Sequence, residues 1–106
     1  MVIDMTYTAA TTKTTAQTIL SQIPGYLRLA LGMRDFMHDE NTLYFRMTGT
    51  RAVRAFIRYN EGSDLYTVRC YTVRKFTETV RYEADMLDAQ QVAELLDMMD
   101  RGIIEL

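Results

Sequence analysis

Alternation of apolar and polar residues constrains the middle of this 106-residue chain more than any other feature. In "TLYFRMT" (residues 42–48), "AVRAFIRY" (52–59) and "LYTVRCY" (65–71), apolar side chains recur at every second position. A period of two is typical of a β-strand that buries one face and leaves the other open. "HDEN" (38–41) and "NEGSD" (60–64) have the composition of turns. The pattern therefore predicts an antiparallel meander with one buried face.

The extended pattern continues after the third of these strands. It reaches Glu83, which makes the segment too long for one typical strand. We therefore expect a tight turn near Arg74-Lys75 and a fourth strand, "FTETVRY" (76–82). The alternative is a three-stranded sheet in which residues 74–83 form a loop.

Two short helices are predicted before the sheet. Thr14 and Gln17 have the spacing of a capping box, and the apolar residues that follow have helical spacing. Pro24-Gly25 ends or kinks this helix, because proline disfavours helical geometry in the residue before it. "YLRLALGM" (26–33) suits a second helix closed by Gly32, or a strand; we expect the helix.

The last element has the clearest helical signals. Asp88 can cap its N-terminus, with Gln91 three residues later completing a capping box. Gly102 stands where a left-handed C-terminal cap belongs. The apolar stripe between these ends consists of Val92, Leu95, Leu96 and Met99.

Together these elements indicate an α+β fold. We expect an N-terminal helix with a short second helix, an antiparallel meander of three or four strands, and a C-terminal helix packed on one sheet face. Residues 1–12 are rich in threonine and alanine and are expected to form a flexible arm, and residues 13–106 a single domain. A lone cysteine and the lack of a membrane-length apolar run predict a cytoplasmic protein without a membrane partner.

Charge is segregated along the chain although the net charge is only −2. Residues 46–81 carry eight basic and three acidic groups, whereas residues 82–106 carry one basic and seven acidic groups. Such asymmetry bears on partners rather than on the fold.

Alternation places four of these eight basic groups on the open face of the sheet, together with aromatic rings. The predicted binding residues of this face are Tyr44, Arg46, Arg54, Phe56, Arg58, Arg69 and Tyr71. Arginine and aromatic side chains suit a single-stranded nucleic acid, and the same residues are enriched in protein interfaces. An ordinary solvated face is the third interpretation, since these residues also have good sheet propensity.

The carboxylates of the final helix offer a second candidate surface. Glu94, Asp97 and Asp100 lie on one predicted helix face, where an acidic helix could imitate a nucleic-acid backbone. A solvated helix face explains the same residues more simply.

Catalytic signals are weak. His38 is the single histidine, in a turn beside two carboxylates, and adjacent turn residues rarely converge on one metal ion. Cys70 falls on the inner strand face, where a cysteine acts as a small apolar residue. The chain contains no phosphate-loop, serine-hydrolase or zinc-peptidase motif. We therefore predict a protein that is not an enzyme and that needs no cofactor or metal.

The order of four segments resembles a group of small uncharacterised proteins of bacteriophages and prophages. These segments are "TAQTILSQIPG", "NTLYFRM", "DLYTVRCYTVR" and "DAQQVAELLDMMDRG", and the likeness spans residues 15–102. The family usually has a Gly-Gly turn where this chain has Pro24-Gly25, and a Thr-Gly-Leu cap where it has Arg101-Gly102-Ile103. The resemblance implies a phage accessory protein and carries no catalytic residues.

The expected function is binding of a host macromolecule in the bacterial cytoplasm. Inhibition of a host defence, such as an anti-CRISPR activity, is its most concrete form and rests on analogy and charge pattern. A host protein or complex is the expected partner. The alternatives are a single-stranded nucleic-acid binder that uses the open face, and a homodimer that pairs through an edge strand.

Overall fold

The computed structural model describes residues 15–49 and 53–106. These residues form three helices and five strands. In chain order they are α1 (Thr15–Ser21), α2 (Gly25–Ala30), β1 (Met33–His38), β2 (Thr42–Met47), β3 (Val53–Asn60), β4 (Leu65–Arg74), β5 (Thr77–Leu87) and α3 (Ala89–Asp100). The predicted N-terminal arm (1–12) and the Thr14 cap lie outside the described residues.

The five strands form one antiparallel sheet in the order of the chain. This arrangement confirms the predicted α+β meander. The alternative in which residues 74–83 form a loop is wrong, because β5 pairs with β4 from Thr77 to Leu87.

The core lies between the inner face of the sheet and the helices. Leu43, Ile57 and Val68 stand opposite one another on β2, β3 and β4 and are fully buried. α3 packs on β4 and β5, so that the Cys70 Sγ lies 3.9 Å from the Met99 Sδ. Burying each large aliphatic side chain in this layer contributes about 2 kcal/mol to folding.

The predicted caps of α3 are present at both ends. The Asp88 carboxylate accepts a hydrogen bond from the Gln91 amide, and the Gln91 side chain accepts one from the Asp88 amide. Gly102 has a positive φ of 74°, and the Ile103 amide donates to the Met98 carbonyl. This is the hydrogen-bond pattern of a Schellman cap.

Strand β1 is the element that the sequence pattern did not reveal. The described sheet therefore has five strands, whereas three or four were predicted. β1 is an edge strand with a bulge between Arg34 and Met37, and Asp35 in the bulge has a φ of 56°. It also includes His38, so the turn begins at Asp39. The second helix is confirmed and ends before Gly32, whose φ is 63°.

The two residues that follow β2 pack tightly against the turn between α2 and β1. The amides of Thr48 and Gly49 both donate to the Leu31 carbonyl. A side chain at Gly49 would place its Cβ 2.3 Å from the Ala30 carbonyl oxygen. Glycine at this position therefore allows the backbone contact that fixes β1 and β2 relative to the helices.

Candidate functional site

The register of β2, β3 and β4 brings all seven predicted residues of the open face together. We use "open face" for these residues: Tyr44, Arg46, Arg54, Phe56, Arg58, Arg69 and Tyr71. Six of them form two rows across the sheet, in which Tyr44 stands opposite Phe56 and Phe56 opposite Arg69, while Arg46 stands opposite Arg54 and Arg54 opposite Tyr71. Arg58 lies in the next row, opposite Thr42 and Thr67.

Phe56 lies at the centre of the open face and is only 5% exposed. The guanidinium groups of Arg58 and Arg69 lie 4.7 and 5.2 Å from its ring centre. The rings of Tyr44 and Tyr71 flank it, with centroids at 5.9 and 6.4 Å. The neighbouring side chains therefore pack on the Phe56 ring and cover it. Little of the ring surface is left for a ligand to stack on.

Carboxylates from both edge strands balance the arginines of this face. The Arg69 Nε donates to Glu83 on β5, and the Arg69 Nη1 lies 3.5 Å from Glu78. The hydrogen bond that Arg69 donates to Glu83 raises the pKa of Arg69; desolvation opposes this rise, and the negative charges of Glu83 and Glu78 add to it. At the other edge, Arg46 pairs with Asp35 of the β1 bulge at 3.4 Å.

The pairing of arginines with carboxylates on the open face differs from the charge pattern along the chain, in which residues 46–81 are mainly basic. Glu83 belongs by sequence to the acidic C-terminal part, yet β5 places it on the open face. Asp85, two residues later, accepts a hydrogen bond from Thr67 of β4, which lowers the Asp85 pKa. The face therefore has mixed charge rather than being a basic surface.

Arg54 differs from the neighbouring arginines. It is exposed on β3, and no described residue forms an ion pair or a hydrogen bond with its side chain. It lines a shallow concavity of about 460 Å³. The lining residues are Asp35, Met37, Tyr44, Phe45, Arg46, Arg54 and Tyr71. An unpaired guanidinium in a concavity that is also lined by two tyrosines can receive an anionic group while the rings contact an apolar one.

The turn before β2 holds one side of this concavity in place. The Tyr44 hydroxyl donates to the Asp39 carboxylate at 3.0 Å, and the same carboxylate accepts from the amides of Asn41 and Thr42. Desolvation acts to raise the pKa of Asp39, but these hydrogen bonds outweigh it and lower the pKa. Asp39, Asp35 and Met37 were not predicted as site residues. One sequence signal could have identified Asp39: it is a carboxylate in a turn, two residues before Asn41, where aspartate often accepts a hydrogen bond from the backbone.

The single histidine lies at the end of β1, and the single cysteine lies in the core. Among the described residues there is no group of three or more His, Cys, Asp or Glu that could hold a metal ion. The His38 Nδ1 lies 3.3 Å from the Asp39 carbonyl oxygen. Cys70 is buried, and desolvation raises the pKa of its thiol to about 12. The prediction that Cys70 acts as an apolar core residue is confirmed.

The carboxylates of α3 lie on the far side of the molecule from the open face. Glu94 is exposed and accepts a hydrogen bond from Gln90. Asp97 pairs with Arg101 one turn later, at 3.3 Å. Asp100 is partly exposed. Local partners therefore engage two of the three carboxylates, and the ion pair with Arg101 offsets the charge of Asp97.

None of the helices within residues 15–49 and 53–106 is long and apolar enough to cross a membrane. No protein-family model, curated protein or solved structure matches this chain.

Proposed function

We propose that this chain is a non-enzymatic binding protein, of the phage accessory type implied by the sequence resemblance, whose open face docks on a host protein. The observation that carries the proposal is the unpaired Arg54 in a concavity flanked by Tyr44 and Tyr71. Tyrosine and arginine are the residues that most often dominate binding energy in protein interfaces. A partner carboxylate at Arg54 would form a charge-assisted hydrogen bond.

The distribution of charge favours a protein over a nucleic acid. Single strands are bound by a positive groove that follows the phosphates, with exposed rings on which bases stack. Here Arg46 and Arg69 already have carboxylate partners, and Phe56 is covered. A surface with both signs of charge suits a protein partner that also carries both signs.

The shape of the two sheet edges disfavours a homodimer that pairs through an edge strand. β1 is interrupted by the bulge at Asp35, and β5 has register shifts on both sides of the segment from Tyr82 to Ala84. Bulges of this kind disturb the regular row of amides and carbonyls that strand pairing requires.

Charge reversal at Arg54 tests the proposal with little risk to the fold. Immobilised wild-type chain should capture a host protein from a bacterial lysate, and Arg54→Glu should not. Arg101→Glu is the matched control, because it reverses an exposed arginine just after α3, where the ion pair with Asp97 lies at the surface. Reversal of Arg58 or Arg69 would be less informative, since both pack on Phe56.

Two further outcomes separate the alternatives. If single-stranded DNA or RNA binds at low salt and dissociates steeply as salt rises, the open face is a nucleic-acid site and the proposal fails. For the anti-CRISPR form of the proposal, expression of the wild-type chain should protect a targeted phage in a CRISPR-immune host. Arg54→Glu should remove that protection.

A further inference from the structure

The hairpin formed by β4 and β5 projects from the body of the protein. Every residue from Val73 to Arg81 is exposed, and no apolar residue of this stretch belongs to the core cluster or packs against it. At its tip, Phe76 is 103% exposed, and it makes none of the ring contacts found for Phe56. A fully exposed phenylalanine at a projecting tip contributes nothing to the core.

The backbone of the tip is also unusual for its residues. Lys75 and Phe76 both have positive φ values, 50° and 64°. A two-residue hairpin turn of this kind strongly favours Asn-Gly, because only glycine and asparagine adopt the left-handed conformation readily. Local turn preference therefore does not explain Lys75-Phe76, and strained, exposed residues of this kind often belong to functional surfaces.

The apolar surface at the tip is continuous with the open face. Val80 stands opposite Tyr71, and alternation places Val73 on the same side. Val73 and Val80 are 44% and 49% exposed. Val80 and Val73 therefore form an apolar strip that leads from the open face towards Phe76, with the carboxylate of Glu78 beside Val73.

The charge around this strip is positive. Arg74 and Lys75 flank Phe76, and no described residue forms an ion pair with either. The carboxylate of Glu78, the closest acidic residue in sequence, lies 3.5 Å from Arg69. The partner surface that complements the tip is therefore apolar at its centre and acidic at its rim.

We infer that Phe76 is an anchor residue that inserts into an apolar pocket, rimmed by carboxylates, on the same host protein that contacts Arg54. This inference rests on the proposed function and specifies the chemistry of the partner. A single buried aromatic anchor can carry a large share of the binding energy of an interface.

The test uses the full-length chain and the host protein that the wild type captures and Arg54→Glu does not. Phe76→Ala should weaken binding of that purified protein about 30-fold, the range of an interface hot spot. Leu29→Ala, which truncates another exposed apolar side chain on α2, should bind as the wild type does. For the acidic rim, Lys75→Glu should weaken binding and Lys75→Arg should preserve it.

A second measurement asks whether Phe76 serves the fold instead. The double variant Lys75→Asn, Phe76→Gly should raise the midpoint of thermal unfolding, because it supplies the preferred turn residues, and should still lose affinity. A lower midpoint would mean that the tip has a structural role and would overturn the inference.

The remaining outcomes distinguish this inference from the proposed function. If Phe76→Ala binds as the wild type does while Arg54→Glu does not, the anchor is wrong and the proposed function stands. If Lys75→Glu binds normally, the acidic rim is wrong. If no host protein is captured in an Arg54-dependent way, the proposed function fails and the inference fails with it.

Discussion

The guanidinium carbon of Arg58 lies 4.7 Å from the centre of the Phe56 ring. Arg69 approaches the same ring at 5.2 Å, so two cations cover one aromatic side chain on the side of the sheet that faces away from the core. Each such contact contributes about 0.5–1 kcal/mol at an exposed site. The open face is therefore an organised layer, built around Phe56, that presents Arg54 and the two tyrosines at its surface.

Phe56→Ala should destabilise the protein. The side chain is nearly as buried as a core residue, so its loss should cost about 3 kcal/mol and lower the melting temperature by roughly 12 °C or more. Phe76→Ala is the matched control, since it removes the same side chain from a fully exposed position. Thermal unfolding followed by circular dichroism measures both. Equal melting temperatures for the two variants would mean that Phe56 does not organise the face.

Gly49→Ala should also destabilise the fold. The added Cβ would stand 2.3 Å from the Ala30 carbonyl oxygen, and backbone must move to relieve the contact. We expect a loss of about 2 kcal/mol in the free energy of unfolding, measured by urea denaturation. Gly62→Ala has no atom within 4 Å of the new Cβ and should leave stability nearly unchanged. Normal stability of Gly49→Ala would contradict the tight junction between β2 and the α2–β1 turn.

The Cys70 thiol should be inert in the folded protein. Its pKa of about 12, against an ordinary value of 9.0, lowers the thiolate fraction at neutral pH by about 1000-fold, and burial blocks access as well. Iodoacetamide should label the native protein very slowly and the urea-unfolded protein readily, as mass spectrometry can measure. Rapid labelling under native conditions would show that the sheet–helix layer around Cys70 is open.

The turn at Asp39 should contribute stability that depends on pH. The pKa of Asp39 is lower in the folded protein than its ordinary value of 3.8. The carboxylate therefore stabilises the fold above that value, and the contribution is lost as the pH falls through the lowered native pKa. Asp39→Asn should be less stable than the wild type near neutral pH, and the difference should vanish in strong acid.

Urea unfolding of both proteins across this pH range measures the effect. Glu40→Gln is the control, because it removes a neighbouring carboxylate that makes no hydrogen bond within the described part of the chain. A difference between wild type and Asp39→Asn that grows as the pH falls would contradict the assignment.

Strands with one buried face were predictable from the sequence; of the two edge strands, β5 was predicted as a fourth strand of uncertain phase and β1 was not predicted. In β2, β3 and β4, alternation correctly predicted which side chains share each face, because core packing dictates every second residue. β1 and β5 are edge strands with many exposed positions and with bulges that change the phase of alternation. Their sequences therefore carry little periodic signal, and β1 was not predicted.

The weak periodic signal of the edge strands also limited the prediction of the candidate site. All seven residues of the open face were predicted, because they lie on strands with a clear phase. The carboxylates that pair with them, Asp35, Glu78 and Glu83, lie on the edge strands. The distribution of charge along the chain could not reveal this pairing, since β5 places Glu83, from the acidic C-terminal part, beside Arg69 on the open face.

The most direct test of the account is capture of a host protein by the wild type and by two charge-reversal variants. Wild type and Arg101→Glu should retain the same host protein, and Arg54→Glu should lose it while its circular dichroism spectrum stays unchanged. Retention of that protein by folded Arg54→Glu would contradict the claim that the open face is the binding surface.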